Sequence, residues 1–300
     1  MLQINWFPGH MAKTLRQLRE QSNRCDYMIE LSDARLPASS RNPVLDDVLQ
    51  RKPRMLLLTK ADLADPAITE QWTDRLGVEN TTVLAADLRQ KKDIKRIRNR
   101  VLQDNRKLIE QAKAKGRRIR PIRVMISGIP NTGKSTLINA LIGKKSAQVS
   151  NRPGVTRAIQ WLRAGNDLEL MDTPGVLWPK FDTLEERFAL AASGAIKDDL
   201  IPQEEIAGLI LLWLQKQYPD HLTRAFKVAD FTPETNPEIA GYTLLTEAAL
   251  KNNLLLSGGE PDRARMARKI LTDVRRGAAG RVSLEIPGCT WLSDAAESGV

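Results

Sequence analysis

Two cysteines and two histidines in 300 residues leave little material for a metal cluster or a disulfide framework. Cys25 and Cys289 match no metal-ligand spacing, and a reducing cytoplasm is the simple expectation for such a chain. Long hydrophobic runs are also missing. The longest apolar stretch, Ile206 to Leu214, is far shorter than the roughly 20 residues a bilayer requires, so no membrane partner is expected. The first residues lack the charged, apolar and cleavage regions of a secretory leader. No internal repeat and no long low-complexity tract interrupts the sequence. Acidic charge is in deficit: 46 Lys and Arg against 36 Asp and Glu give a net charge of +10 and an isoelectric point near 9.7. Such an excess favours a polyanionic partner. The 42 % of hydrophobic residues suffices for substantial cores, and the length suits two domains. A monomer is expected.

What is present begins with Gly128-Ile-Pro-Asn131-Thr132-Gly133-Lys134-Ser135, a complete G-x-x-x-x-G-K-[ST] phosphate loop. The apolar run Arg123 to Ser127 before it reads as a buried strand, and Thr136 to Ile142 after it as the first turns of a helix. Between them the glycines let backbone N–H groups turn toward an anion at a helix N-terminus, whose dipole favours negative charge. Asn131, Thr132, Gly133, Lys134, Ser135 and Thr136 are therefore candidate phosphate-binding residues. Lys134 would reach the β and γ phosphates, and Ser135 would ligate Mg2+.

Asp167 to Met171 reads as a strand running into Asp172-Thr-Pro-Gly175, a D-x-x-G turn that would bring Asp172 near the magnesium and the Gly175 N–H to the γ-phosphate. The breaker-rich segment Asn151 to Arg157 offers the Thr156 hydroxyl as a further magnesium ligand. Upstream, the apolar run Arg54 to Leu58 ends in Thr59-Lys60-Ala61-Asp62, which places Thr59, Lys60 and Asp62 at a strand's carboxyl end. A carboxylate there accepts from guanine N1–H and the 2-amino group; adenine offers neither donor. GTP is thus the expected nucleotide. The base-reading element lies before the phosphate loop, and that order suggests a circular permutation.

Taken with Trp6-Phe-Pro-Gly-His10-Met11-Ala12-Lys13, Asp33-Ala-Arg35-Leu-Pro37 and Arg152-Pro-Gly-Val-Thr156, these motifs resemble the YlqF/RbgA family of ribosome-assembly GTPases. The resemblance implies an α/β fold: a circularly permuted P-loop GTPase domain over 1–178, mostly parallel sheet flanked by helices, then a small all-helical C-terminal domain over 179–300 that binds RNA or ribosome. It implies GTP hydrolysis coupled to maturation of the large ribosomal subunit, with that subunit and its rRNA as partners. Two departures stand out. The family's guanine motif begins with Asn where this chain has Thr59, which weakens guanine binding while Asp62 preserves specificity. The small loop that touches guanine O6 is of Ser-Ala type in the family; Ala85 and Ala86 are the candidates here.

Many GTPases carry Gln directly after D-x-x-G to orient the attacking water, but Val176 stands there and cannot hydrogen-bond through its side chain. The resemblance assigns catalysis to His10 instead. Asn131 is a candidate K+ ligand, as in related GTPases, or else a loop-stabilising residue. The segment Arg89 to Arg123 is dense in Lys and Arg, with Ile94, Ile97, Val101, Leu102, Leu108 and Ile109 at helical intervals. It reads as a basic amphipathic helix, either an RNA face or a solvated one. After Pro179, four segments (181–196, 202–218, 242–252 and 261–276) carry helical periodicity; the last presents Arg263, Arg265, Arg268, Lys269, Arg275 and Arg276, a second candidate RNA face. Trp213 reads as core. The alternative to an enzyme is a nucleotide-gated RNA-binding module with negligible turnover.

Overall fold

The computed structural model describes residues 11–43, 52–78, 80–117, 119–143, 160–175, 177–178, 181–229 and 236–292. They fall into two compact units. The larger comprises the described residues of Pro8–Asp62 and Pro66–Pro179; the smaller comprises those of Lys180–Val300 together with the tripeptide Leu63–Asp65.

The larger unit runs α1 (Met11–Ser22), β1 (Tyr27–Asp33), β2 (Arg54–Thr59), α2 (Pro66–Leu76), β3 (Thr81–Ala86), α3 (Lys91–Asp104), α4 (Arg106–Ala114), β4 (Ile122–Gly128), α5 (Lys134–Ile142), β5 (Gln160–Ala164) and β6 (Leu168–Asp172). Its strands form one sheet in the order β3-β2-β1-β4-β6-β5, parallel throughout except for the antiparallel β5–β6 pair at one edge. β1, β2 and β4 are almost wholly buried, as parallel strands covered on both faces must be. One core joins Tyr27, Ile29 and Leu31 with Met55, Leu57, Val124 and Ile126, closed by Ile97 and Val101 of α3 and Leu137, Ile138 and Leu141 of α5. The chain completes the β1–β3 half of the sheet before it enters β4, the strand that feeds the phosphate loop.

The basic segment differs from the single helix its periodicity suggests. It forms two helices broken at Asn105, whose side-chain amide donates to the Val101 carbonyl (2.8 Å) and ends the first. Several of its arginines are also spent internally. Arg98 pairs with Asp167, Arg100 with Asp104 (2.7 Å), and Arg106 with Glu110 (2.7 Å). The exposed cations left on this segment are mainly lysines, among them Lys91, Lys92, Lys95, Lys107, Lys113 and Lys115.

The smaller unit is helical: α6 (Leu184–Ser193), a 3-10 turn (Asp198–Leu200), α7 (Gln203–Gln217), α8 (Pro219–Phe226), α9 (Pro237–Lys251) and α10 (Arg263–Arg276). Thr183 caps α6 by accepting from the Glu186 N–H (3.1 Å), and Asn236 and Asp262 cap α9 and α10 in the same way. Trp213 is fully buried, donates from its ring nitrogen to the Ser283 carbonyl (2.7 Å) and lies against Trp291, which meets Phe188 edge-on. α7 and α9 cross at Gly208 and Gly241, where a Cβ on Gly208 would sit 2.7 Å from the Gly241 carbonyl carbon. On α10 the six cations part company. Arg275 donates to the Ala191 and Ala192 carbonyls at the end of α6, Lys269 pairs with Asp273, and Arg263 stacks on Tyr242 (4.5 Å), while Arg265, Arg268 and Arg276 are exposed. The tripeptide is pinned within this unit: Leu63 and Ala64 carbonyls accept from the Val282 N–H (2.9 Å) and the Arg281 side chain (2.8 Å), and the Asp65 N–H donates to Ser283 Oγ (3.2 Å). Among the described residues no helix is long and apolar enough to cross a membrane.

Candidate functional site

The candidate residues gather at the carboxyl ends of the parallel strands, where open α/β sheets bind ligands. β2 delivers Thr59 and Lys60, β3 delivers Ala85 and Ala86, β4 delivers the phosphate loop and β6 delivers Asp172. Segments 73 residues apart are joined directly, since Thr59 Oγ1 donates to the Thr132 carbonyl (2.8 Å). The same hydroxyl lies 3.1 Å from the Ser32 carbonyl. Thr59 is completely buried, and its hydroxyl ties β2 to the phosphate loop, one of the two tasks that an Asn amide could perform there.

The phosphate loop is shaped by backbone that L side chains rarely adopt. Asn131 has φ of 63° and Gly133 of 91°, and a Cβ on Gly128 would lie 2.7 Å from the Leu31 carbonyl oxygen. Thr132 Oγ1 donates to the Ile129 carbonyl (2.8 Å) and fixes the bend. Among the described residues no side chain caps α5 at Gly133, the end from which a helix offers its first N–H groups to an anion. Ser135 and Thr136 are half-buried in its first turn. Lys134 folds back to donate to the Gly128 (2.9 Å) and Ile129 (2.8 Å) carbonyls. Burial pushes its ammonium down to about 8, partly opposed by the Asp172 carboxylate.

Asp172 is buried, and burial raises its carboxyl above the ordinary range despite the Gln160 amide and Lys134 beside it. Its Oδ1 is buried with no hydrogen-bond partner among the described residues, an orphaned anionic oxygen that a hard cation would satisfy. Gly175 approaches so closely that an added Cβ would lie 3.0 Å from both Lys134 Nζ and the Pro130 nitrogen. Lys134, Asp172 and Gly175 are thus brought together. His10, Thr156 and Val176 lie outside the described residues.

At the base end, Lys60 takes a left-handed backbone (φ 56°) and pairs with Asp33 (2.8 Å). Asp33 is also gripped by both arms of Arg35, at 2.9 and 2.7 Å, and both residues are buried. Burial alone would raise the Asp33 carboxyl; the Arg35 and Lys60 cations hold it well below the usual carboxylate range. Reading the sequence for chemistry gave Asp33 and Arg35 no task, although the Asp-Ala-Arg motif marked them; in the sheet register Asp33 stands beside Thr59. Asp62 receives a hydrogen bond from Arg89 (2.5 Å), a second residue that sequence reading assigned only to a basic tract. The Ala61 N–H donates to the Ala86 carbonyl (3.3 Å), and Arg96 donates to the Ala85 carbonyl, so the two alanines are anchored next to Asp62's loop.

The phosphate loop, the D-x-x-G turn and the Thr-Lys-Ala-Asp segment are gathered at one end of the sheet, and the chain is similar to known GTPases. Residues 123–236 match the family described as 50S ribosome-binding GTPase. Ribosome biogenesis GTPase A of Priestia megaterium is 41 % identical, covering 95 % of this chain and 97 % of that protein. Mitochondrial ribosome-associated GTPase 1 of Mus musculus is 33 % identical, covering 95 % of this chain and 91 % of that one. Among solved structures, GNP-bound YlqF from T. maritima superposes with a TM-score of 0.61 at 26 % identity, covering 92 % of this chain and 99 % of that chain. With its motifs in the permuted order and these relatives matched over nearly their full lengths, the chain belongs to the ribosome biogenesis GTPase A family of circularly permuted GTPases.

Proposed function

We propose that this protein hydrolyses GTP as a ribosome assembly factor whose docking partner is the large subunit and its rRNA. The observation that carries the nucleotide reading is the Thr59 to Thr132 hydrogen bond, which fuses a base-reading strand and a phosphate loop distant in sequence. Asp62 accepts from the guanine N1–H and 2-amino group, with Lys60 held along the base by Asp33. Ala85 and Ala86 bring backbone N–H groups toward O6. The N–H groups of Asn131, Thr132, Gly133, Lys134, Ser135 and Thr136 surround the phosphates, Lys134 neutralises them, and the Gly175 N–H meets the γ-phosphate.

Ser135 and Asp172, with Thr156, would hold Mg2+, and the orphaned Asp172 Oδ1 fits that ion. Bound there, the ion offsets charge on the transferred phosphoryl group. Asn131 is the proposed K+ ligand. His10 is the proposed catalytic residue that orients the water, since Val176 cannot. The exposed lysines of α3 and α4 and Arg265, Arg268 and Arg276 of α10 supply cations for an rRNA backbone. The proposed place of work is the cytoplasm and the proposed state a monomer. Hydrolysis of GTP measured alone, with purified large subunits and with small subunits tests the reading. Stimulation by large subunits alone supports it; turnover that stays negligible with either subunit favours the nucleotide-gated RNA-binding module.

A further inference from the structure

The β3–α3 loop contributes more to the base end of the pocket than its two alanines. Arg89 lies on this loop, and its guanidinium is held by Asp87 through Nε (3.0 Å to Oδ1) and a terminal nitrogen (3.2 Å to Oδ2), while the Arg89 N–H donates to the same Oδ1 (3.0 Å). Asp87 is itself fixed, since its N–H donates to Asp93 Oδ2 (2.9 Å) at the start of α3. From this braced position the terminal nitrogen that holds Asp87 also reaches Asp62 Oδ2 at 2.5 Å. It does not engage Oδ1.

We infer that Arg89 is a positioning residue for guanine recognition: it holds the Asp62 carboxylate in its base-reading rotamer and couples the two loops that contact the base. A carboxylate has about four lone-pair sites, so one contact from the protein side leaves room for two parallel bonds to N1–H and the 2-amino group. Arg89 is anchored by Asp87 at two atoms, which makes it a fixed brace and not a mobile cation that would leave when the base arrives. Ala85 and Ala86 carry no polar side-chain atom that could reach Asp62, so among the described residues the hold on that carboxylate from this loop comes from Arg89. The fork geometry of Arg suits the task, and a Lys point charge could not grip both carboxylates equally. Arg89 is well exposed, so its contribution is modest.

The inference rests on Asp62 being the guanine acceptor, and the experiment separates the two claims. Dissociation constants for GDP, IDP (which lacks the 2-amino group) and ADP are measured by calorimetry for the wild-type protein, Arg89→Ala, Arg89→Lys, Asp62→Ala and the double variant. Arg89→Ala should weaken GDP about five-fold, IDP less and ADP not at all, with Arg89→Lys between and no added loss in the Asp62→Ala background. Equal weakening of all three nucleotides would assign Arg89 a merely structural part, and tighter GDP binding would make it a competitor of the base; either result overturns the inference. If Asp62→Ala keeps the wild-type preference for GDP over ADP, the guanine reading itself fails, whatever Arg89 does.

Discussion

Lys134 offers a measurable proton. Its ammonium is buried among the Gly128 and Ile129 carbonyls, and burial pushes it down to about 8 while Asp172 partly supports the charge. At about pH 8.5 such a group is roughly one quarter protonated in the free protein. Phosphates placed against it restore the full charge, so binding should draw in about three quarters of a proton there and only about 0.1 near pH 7. Magnesium GDP has lost its own phosphate protons by pH 8.5, which isolates the lysine. Calorimetric titrations in two buffers of different ionisation enthalpy give the uptake as the slope of the apparent heat. Lys134→Arg, with a guanidinium that never deprotonates, should show almost none. A wild-type slope near zero at pH 8.5, or one that does not change between pH 7 and 8.5, would refute the reasoning. The stability of the free protein carries the same signature. Because the folded value lies below the ordinary 10.5, Lys134's contribution is fully present above 10.5 and is lost as pH falls through about 8. Lys134→Met also strips the Gly128 and Ile129 carbonyls of their donor, so the linkage fixes the pH trend: the stability difference between variant and wild type should move in the variant's favour by up to about 3 kcal/mol as pH falls from 10.5 through 8.

Thr59→Val keeps the shape but strips the Thr132 carbonyl of its buried donor. The cost should be about 1–2 kcal/mol in urea unfolding, with weaker nucleotide binding and an unchanged preference for guanine over adenine; a shift toward adenine would contradict the role given to Asp62. Gly208→Ala drives a methyl into the Gly241 backbone and should destabilise the helical unit by about 1–3 kcal/mol, seen as a lowered Tm. GDP affinity at temperatures below that transition should not change, and a parallel loss would mean that the glycine crossing supports the pocket. His10→Ala should leave nucleotide affinity nearly intact while subunit-stimulated hydrolysis drops by orders of magnitude; equal loss of both would make the histidine structural.

The phosphate loop and the D-x-x-G turn were legible because their chemistry demands particular residue types at fixed spacing beside a strand and a helix. Lys134, Asp172 and Gly175 accordingly meet where the motifs imply. Pairings across strands were not legible. The Thr59 to Thr132 bond, the Asp33 to Lys60 pair and the Arg89 to Asp62 contact each depend on strand register and loop path, which local pattern does not encode. Charge density misled for a related reason: Arg98, Arg100 and Arg275 look like solvent-facing cations in sequence but reach carboxylates or helix-end carbonyls in the fold. Short elements also escaped notice. α8 follows α7 after a single residue, Tyr218, with Pro219 at its first turn, and β5 is a five-residue edge strand with Gln160 and Arg163 exposed.

The three residues after Asp62 set a limit on dissecting this protein. The backbones of Leu63, Ala64 and Asp65 are hydrogen-bonded to the Val282 N–H, the Arg281 side chain and the Ser283 hydroxyl, more than two hundred positions downstream. A fragment cut near residue 178 would strip those carbonyls and that amide of their hydrogen bonds in the segment that follows Asp62. Such a shortened chain would carry a frayed Leu63–Asp65 segment that the helical unit of the longer polypeptide holds in place.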